Sequence, residues 1–247
     1  MKKSFLLFSC GIFSALQLAS AGDLTGTITL KGTPPAESDL GGYIQSDPNC
    51  SVLYSGAFPT THFFNVSAGG GLADVVVVLK GDFKSTNVSA APVVLDQKNC
   101  LYSPTILAVQ AGQKLLVKNS DPCVHNVHTV PKENEMQNLP QAPGAADLEF
   151  VFAKPEPFLK IQCDVHTWMF AYVTVVDSPY FAVSGKDGKF TVKNVPPGKY
   201  TVSVMHRKIS AQLEADGKKV SGYKGVEKEI EVTAAGAAAD FELELKK

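Results

Sequence analysis

Short runs of β-branched and aromatic residues, each closed by a turn rich in glycine or proline, recur along nearly the whole chain. Thr25–Leu30 alternates threonine and glycine with isoleucine and leucine, and Val75–Leu79 is an unbroken apolar run. Lys114–Val117, Tyr172–Val176, Lys189–Val192 and Tyr200–Val204 repeat the theme. Between these runs stand Gly69-Gly70-Gly71, Gln110-Ala111-Gly112-Gln113, Lys186-Asp187-Gly188 and Pro196-Pro197-Gly198. Runs of this kind predict strands, and the intervening residues supply the backbone geometry of tight turns. Helical periodicity is nearly absent, with one turn expected at Ala211–Glu214 and a loop-like stretch over residues 33–70. The expected class is all-β, a sandwich or Greek-key barrel.

With 247 residues, 19 % of them charged, a net charge of −1 and a mean hydropathy of +0.03, the chain has room for one large domain or two small ones. It carries no basic tail or stripe, so no nucleic-acid partner is expected. Residues 1–21 read as a signal peptide: Lys2-Lys3, an apolar stretch from Phe5 to Ala19, then Ala19-Ser20-Ala21 as the cleavage site. The mature chain is then expected to start at Gly22, without Cys10, and to be periplasmic or secreted. The apolar run before Cys10 is short for a lipoprotein signal. No later run reaches the length of a transmembrane helix, so the chain is not expected to span a membrane.

The chemistry-bearing residues are His125, Cys163, His166 and Met169, the last three spaced Cys-x2-His-x2-Met. A thiolate and two imidazoles in a trigonal set, with a weak axial thioether, bind copper as an electron-transfer centre. Soft sulfur favours Cu(I) and imidazole suits Cu(II), so a mixed set holds both states with little change of geometry. A tight loop supplies three donors, and a distant histidine supplies the fourth from another strand.

From about Pro92 to Ser178 the sequence resembles the cupredoxins, the type 1 copper proteins of the amicyanin and plastocyanin kind. The likeness rests on Tyr102-Ser103-Pro104, Gln110-Ala111-Gly112, the segment Asn119 to His128, and Cys163-x2-His166-x2-Met169 followed by Tyr172–Val176. It implies a Greek-key β-sandwich holding one mononuclear copper through His125, Cys163, His166 and Met169. It also implies that Asn126 ties the two ligand segments together by hydrogen bonds, and that a redox protein such as a c-type cytochrome or a dehydrogenase exchanges electrons with the centre. Thr167 stands where a proline follows the second histidine in amicyanins, and Phe158–Gln162 lacks the aromatic pair often found before the cysteine. The flanks Gly26–Gly32, Leu72–Gly81 and Asp187–Val204 resemble carboxypeptidase regulatory-like β-sandwiches, an immunoglobulin- or transthyretin-like architecture. As a whole the chain is similar to secreted bacterial proteins of the methylamine-utilisation type. The expected organisation is 22–91 as N-terminal strands and a long loop belonging to the regulatory-like sandwich, 92–178 as the copper domain and 179–247 as a C-terminal β module. The copper domain is either inserted into the flanking sandwich or in series with it.

Zinc is the competing metal, through Cys163, His166, His125 and His128. If that segment is a strand, the odd spacing of His125 and His128 sends them to opposite faces, so His128 is expected to be a hydrogen-bonded strand histidine. His62 and His206 stand outside any motif and are expected to be structural or exposed. No Cys-x-x-Cys-His occurs for haem attachment. No phosphate loop follows Gly69-Gly70-Gly71, and no Gly-x-Ser-x-Gly nucleophile elbow occurs. An oxidising compartment favours disulfides. Cys50–Cys100 is the expected pair, and Cys123 is either a free thiol near the metal or the true partner of Cys50 or Cys100. Trp168, Phe170 and Pro122 are either core or an apolar patch around an edge-exposed His166 through which electrons pass. Four protein donors leave no open metal position, so a non-enzymatic role is expected. Copper storage or trafficking is one alternative, and a carbohydrate-binding or adhesion module with a structural metal is another.

Overall fold

The computed structural model describes residues 21–83, 87–215 and 218–245. Cys10 and all but the last residue of the expected signal peptide lie outside the described residues. The molecule is all-β, as the sequence predicts.

β1 (Gly22–Lys31) is followed by a long segment that holds two short helices, α1 (Gly41–Gln45) and α2 (Pro48–Ser51), and then by β2 (Val75–Lys80). The helices correct the loop expectation over residues 33–70. Asp47 caps α2 by accepting from the N–H groups of Asn49 and Cys50, and Pro48 occupies the first helical position.

Nine strands then form one sandwich: β3 (Val93–Lys98), β4 (Leu101–Ser103), β5 (Ile106–Gln110), β6 (Lys114–Asn119), β7 (His125–Val130), β8 (Asn138–Gln141), β9 (Leu148–Val151), β10 (Glu156–Gln162) and β11 (Phe170–Val176). One sheet has the order β5-β11-β10-β7-β8 and the other β4-β3-β6-β9. Their inward side chains share one core, including Leu95, Leu115, Val117 and Phe150 from one sheet and Val109, Val127, Ile161 and Val173 from the other. Alternation along β6 and β7 fits sheets with one buried face.

The remaining strands are β12 (Phe181–Val183), β13 (Lys189–Val195), β14 (Gly198–His206), β15 (Ala211–Ala215), β16 (Lys218–Lys224), β17 (Val226–Val232), β18 (Ala237–Ala238) and β19 (Phe241–Glu244). Of these, β12, β13, β14, β18 and β19 pair with β1 or β2, β17 pairs with β14, and β15 pairs with β16. β1 lies beside β13, β18 and β19, and β2 lies between β12 and β14. The chain thus leaves one sandwich after β2, builds the other, and returns to the first at β12. Ala211–Glu214, expected to be a helical turn, falls in β15 instead, because its backbone pairs with β16 in an antiparallel hairpin.

The unbroken run of β2 has a direct cause. Val75, Val77 and Leu79 face the core of their own sandwich with Leu24, Ile28, Val202 and Phe241. Val76 and Val78 face the other way, against Ile106, Ala108, Phe158, Tyr172 and Val176 of the neighbouring sandwich. A strand buried on both faces has no position for a polar residue. Arg207 closes the seam with its guanidinium 4.4 Å above the Tyr172 ring. Among the described residues, no helix is long and apolar enough to cross a membrane.

Candidate metal centre

Two segments meet at one end of the nine-stranded sandwich. His125 is the first residue of β7, and its side chain points inward. Cys163 directly follows β10, and His166 and Met169 occupy the loop before β11. That loop is tight because the Met169 N–H donates to the His166 carbonyl at 2.8 Å and the Cys163 N–H donates to the Met169 carbonyl at 3.2 Å. All four side chains are buried, none more than 2 % exposed.

His125 Nδ1 lies 2.9 Å from His166 Nδ1, and Cys163 Sγ lies 3.6 Å from His166 Nδ1. The three donor atoms fall within 4.8 Å of one another. An ion with ~2.3 Å bonds to sulfur and ~2.0 Å bonds to nitrogen at trigonal angles needs sulfur–nitrogen separations of about 3.7 Å and a nitrogen–nitrogen separation of about 3.5 Å. The sulfur–nitrogen distance already meets this, and the two imidazoles need to part by about half an ångström. Met169 packs in the same core cluster as Cys163.

The sulfur is held as an acceptor, with the His166 N–H directed at it at 3.4 Å. Burial works to raise the Cys163 pKa, but hydrogen bonds from His125 and His166 outweigh it and bring it down to about 6. Burial works to lower the His125 pKa, but Asp121 and the sulfur outweigh it and raise it to about 9. The pocket thus favours a thiolate, the form that binds metal. Asn126, the residue after His125, accepts through Oδ1 from the Asp164 N–H at 2.7 Å and lies 3.3 Å from Cys163 Sγ, so it joins β7 to the ligand loop.

Each histidine meets a carboxylate at its outer nitrogen, and sequence reasoning missed both. Asp121 Oδ2 lies 2.9 Å from His125 Nε2. Asn99 and Cys100 form the two-residue turn between β3 and β4, both with positive φ, which leaves their N–H groups free to donate to Asp121 at 2.6 and 2.7 Å. Asn119 places Asp121 by accepting its N–H at 3.0 Å. Asp47 Oδ2 lies 3.5 Å from His166 Nε2. Such carboxylates fix the tautomer that leaves the inner nitrogen free for a metal. A signal for Asp47 was present in the Asp-Pro pair that opens a helix. Asp121 precedes His125 by four residues, but nothing in that spacing marks the contact.

A disulfide joins Cys50 to Cys100. Cys123 is a buried free thiol, 3.9 Å from Cys100 Sγ and 3.6 Å from His125 Nε2. Burial pushes its pKa up to about 11. His128 lies on the other face of β7, 2.9 Å from Asp164 Oδ1, so it does not join Cys163, His166 and His125 in a zinc set. His62 sits 3.5 Å from Thr60 Oγ1, and His206 is buried against Phe64; neither joins the His125, Cys163 and His166 cluster.

Of the two readings the sequence allows, the one with an edge-exposed His166 is corrected: its side chain is 2 % exposed. The segment carrying α1 and α2 covers it, tied down by the disulfide and by Tyr54, whose hydroxyl donates to the Asn99 carbonyl at 2.6 Å. Trp168 packs partly buried on the core and donates from Nε1 to the Cys100 carbonyl at 3.0 Å. Phe170 stacks on Phe63 from the same covering segment.

No protein-family model and no curated protein matches the chain. Among solved structures it is similar to a Cu-containing nitrite reductase from Thermus scotoductus, at 16 % identity and a TM-score of 0.33, over 38 % of this chain and 24 % of that one. A purple cupredoxin from Nitrosopumilus maritimus aligns at 25 % identity and a TM-score of 0.29, over 34 % of this chain and 98 % of that one. A Cu(I) form of an amicyanin variant aligns at 20 % identity and a TM-score of 0.31, over 40 % of this chain and 97 % of that one.

Proposed function

We propose that the protein is an exported carrier of single electrons, with one type 1 copper held by His125, Cys163, His166 and Met169. The carrying observation is the convergence of two imidazole Nδ1 atoms and one cysteine sulfur in a buried pocket, each histidine braced from behind by a carboxylate. Copper bound there would supply a one-electron Cu(II)/Cu(I) couple. The chain's part is to exclude water, hold the imidazoles in one tautomer and keep the sulfur ionised. Two nitrogens, one thiolate and a thioether suit copper better than a hard ion. In this reading residues 92–178 carry the centre and are inserted into a sandwich made by the flanking strands. The apolar leader and the disulfide both suit a periplasmic or secreted protein. A redox protein is the expected partner, and four protein donors make the centre a relay for electrons rather than an enzyme site.

The test is addition of Cu(II) to the mature protein. An intense visible thiolate-to-copper band, with the narrow copper hyperfine splitting of a type 1 centre in its spin-resonance spectrum, is the expected result. Cys163→Ser should abolish the band. A colourless protein that takes zinc in preference would refute the reading. Copper storage with the same ligands is the second reading, favoured by the cover over His166. Rapid loss of Cu(I) to a chelator without reversible redox cycling would select it.

A further inference from the structure

Electron carriers need a path from metal to surface, and here the obvious one is closed. His166 is buried, with Asp47 against its outer nitrogen, so a partner cannot touch its ring edge. One aromatic path leads outward. The Trp168 ring meets the His166 ring edge-on, with centroids 5.2 Å apart. The Tyr43 ring stacks on Trp168 at 6.3 Å and 28°. Tyr43 lies in α1, points outward and is 58 % exposed. Trp168 is held in place at both ends, by its ring contact with His166 and by its hydrogen bond to the Cys100 carbonyl. Helix α1 is held through Ile44 and Leu40, both buried in the nine-stranded core.

We infer that His166, Trp168 and Tyr43 form the electrical contact of this protein, and that its redox partner engages the covering segment at Tyr43. This rests on the copper reading. One electron passes from the reduced centre through the three rings to an external one-electron acceptor. No bond forms or breaks and no proton moves, because the rings couple donor to acceptor without being oxidised themselves. The covering segment is then the docking face of the carrier, and the partner is a one-electron protein that exposes its own cofactor edge. Loss of either outer ring lengthens the non-aromatic part of the path and slows transfer; loss of Tyr43, which does not touch His166, does so without changing the metal's surroundings.

The experiment uses the copper-loaded full-length mature protein. Its reduced form is mixed with hexacyanoferrate(III) in a stopped-flow instrument, and its electron self-exchange rate is measured by NMR line broadening. Tyr43→Leu removes an exposed ring and should not affect folding. Trp168→Phe keeps an aromatic ring, and Trp168→Leu removes it. The expected result is a severalfold fall in both rates for Tyr43→Leu, a larger fall for Trp168→Leu and partial recovery in Trp168→Phe, with the visible band and reduction potential unchanged in Tyr43→Leu. Unchanged rates in Tyr43→Leu and Trp168→Leu, with the band intact, would overturn the relay. So would a shift of potential in Tyr43→Leu large enough to account for its slower rate. A colourless wild-type protein would instead overturn the copper reading on which the relay depends.

Discussion

Replacing Asp121 by alanine tests whether the site is organised from behind the ligands. Its carboxylate is the common acceptor for the Asn99 and Cys100 N–H groups and the neighbour of His125 Nε2. Alanine leaves the Asn99 and Cys100 N–H groups without this acceptor and leaves His125 Nε2 only the Cys123 sulfur at 3.6 Å. A buried donor left unpaired costs about 1–3 kcal/mol, and loss of one member of a buried charged pair costs about 3–5 kcal/mol. The metal-free protein should therefore lose about 4 kcal/mol against urea, more than most single substitutions. The copper effect follows from the tautomer. Asp121 holds the proton on Nε2, so a metal at Nδ1 displaces only the Nδ1 proton; without it the neutral ring can keep its proton on Nδ1 and turn that nitrogen away from the metal. Copper affinity, read by competition with a chelator, should fall about 10- to 100-fold. Asp121→Asn should recover most of the affinity, since its amide oxygen can turn toward His125 and Cys100, leaving only the more exposed Asn99 N–H unpaired. Wild-type copper affinity in Asp121→Ala would refute the role of this carboxylate.

The Cys50–Cys100 bridge closes a loop with a sequence separation of 50 that includes β2. On chain entropy alone, Cys50→Ser with Cys100→Ser should cost about 4 kcal/mol, seen as a lower urea midpoint. The same double variant should make His166 reachable by an imidazole-modifying reagent, since the cover loses its tie. His206 has a pKa lowered to about 4 by burial, with Arg207 and Lys208 adding to it. Between that value and the ordinary histidine pKa the unfolded chain holds the extra proton. His206 therefore adds no penalty above about pH 6.5, and stability falls by roughly 3 kcal/mol as pH drops to 4. Urea titrations of His206→Asn across that range should show a flatter slope; an unchanged slope would refute this assignment.

Strand signals were legible because the pattern is local. The alternation in Lys189–Val192, and the glycine turns between runs, register the pleat directly. The cluster of His125, Cys163 and His166 proposed as donors was legible for a similar reason: Cys163 and His166 lie within one loop with Met169, and His125 opens a strand whose parity sends His128 to the other face. What the sequence concealed is held by long-range contacts. Asp47 reaches His166 only because a disulfide brings α2 to the β3–β4 turn. Asp121 is held against His125 with the help of Asn99 and Cys100, whose left-handed turn aims two N–H groups at it from another strand pair. The cover over His166 has no periodic signature, since it is built of turns and two helices too short to show a repeat. The hairpin at β15 shows pairing overriding a weak helical pattern.

The partnership of β1 with the last strand has a consequence for biosynthesis. Ile28 lies opposite Phe241 and Leu30 opposite Leu243 in a parallel ladder, so that flank of β1 is satisfied only once residues 241–244 have been made. Until then one flank of β1 is a bare edge ready to adhere to other nascent chains, whereas β2 finds its partners earlier, in β12 and β14. A premature stop before residue 241 should therefore yield a product that clumps or is degraded, even though the nine strands around His125 and Cys163 are complete.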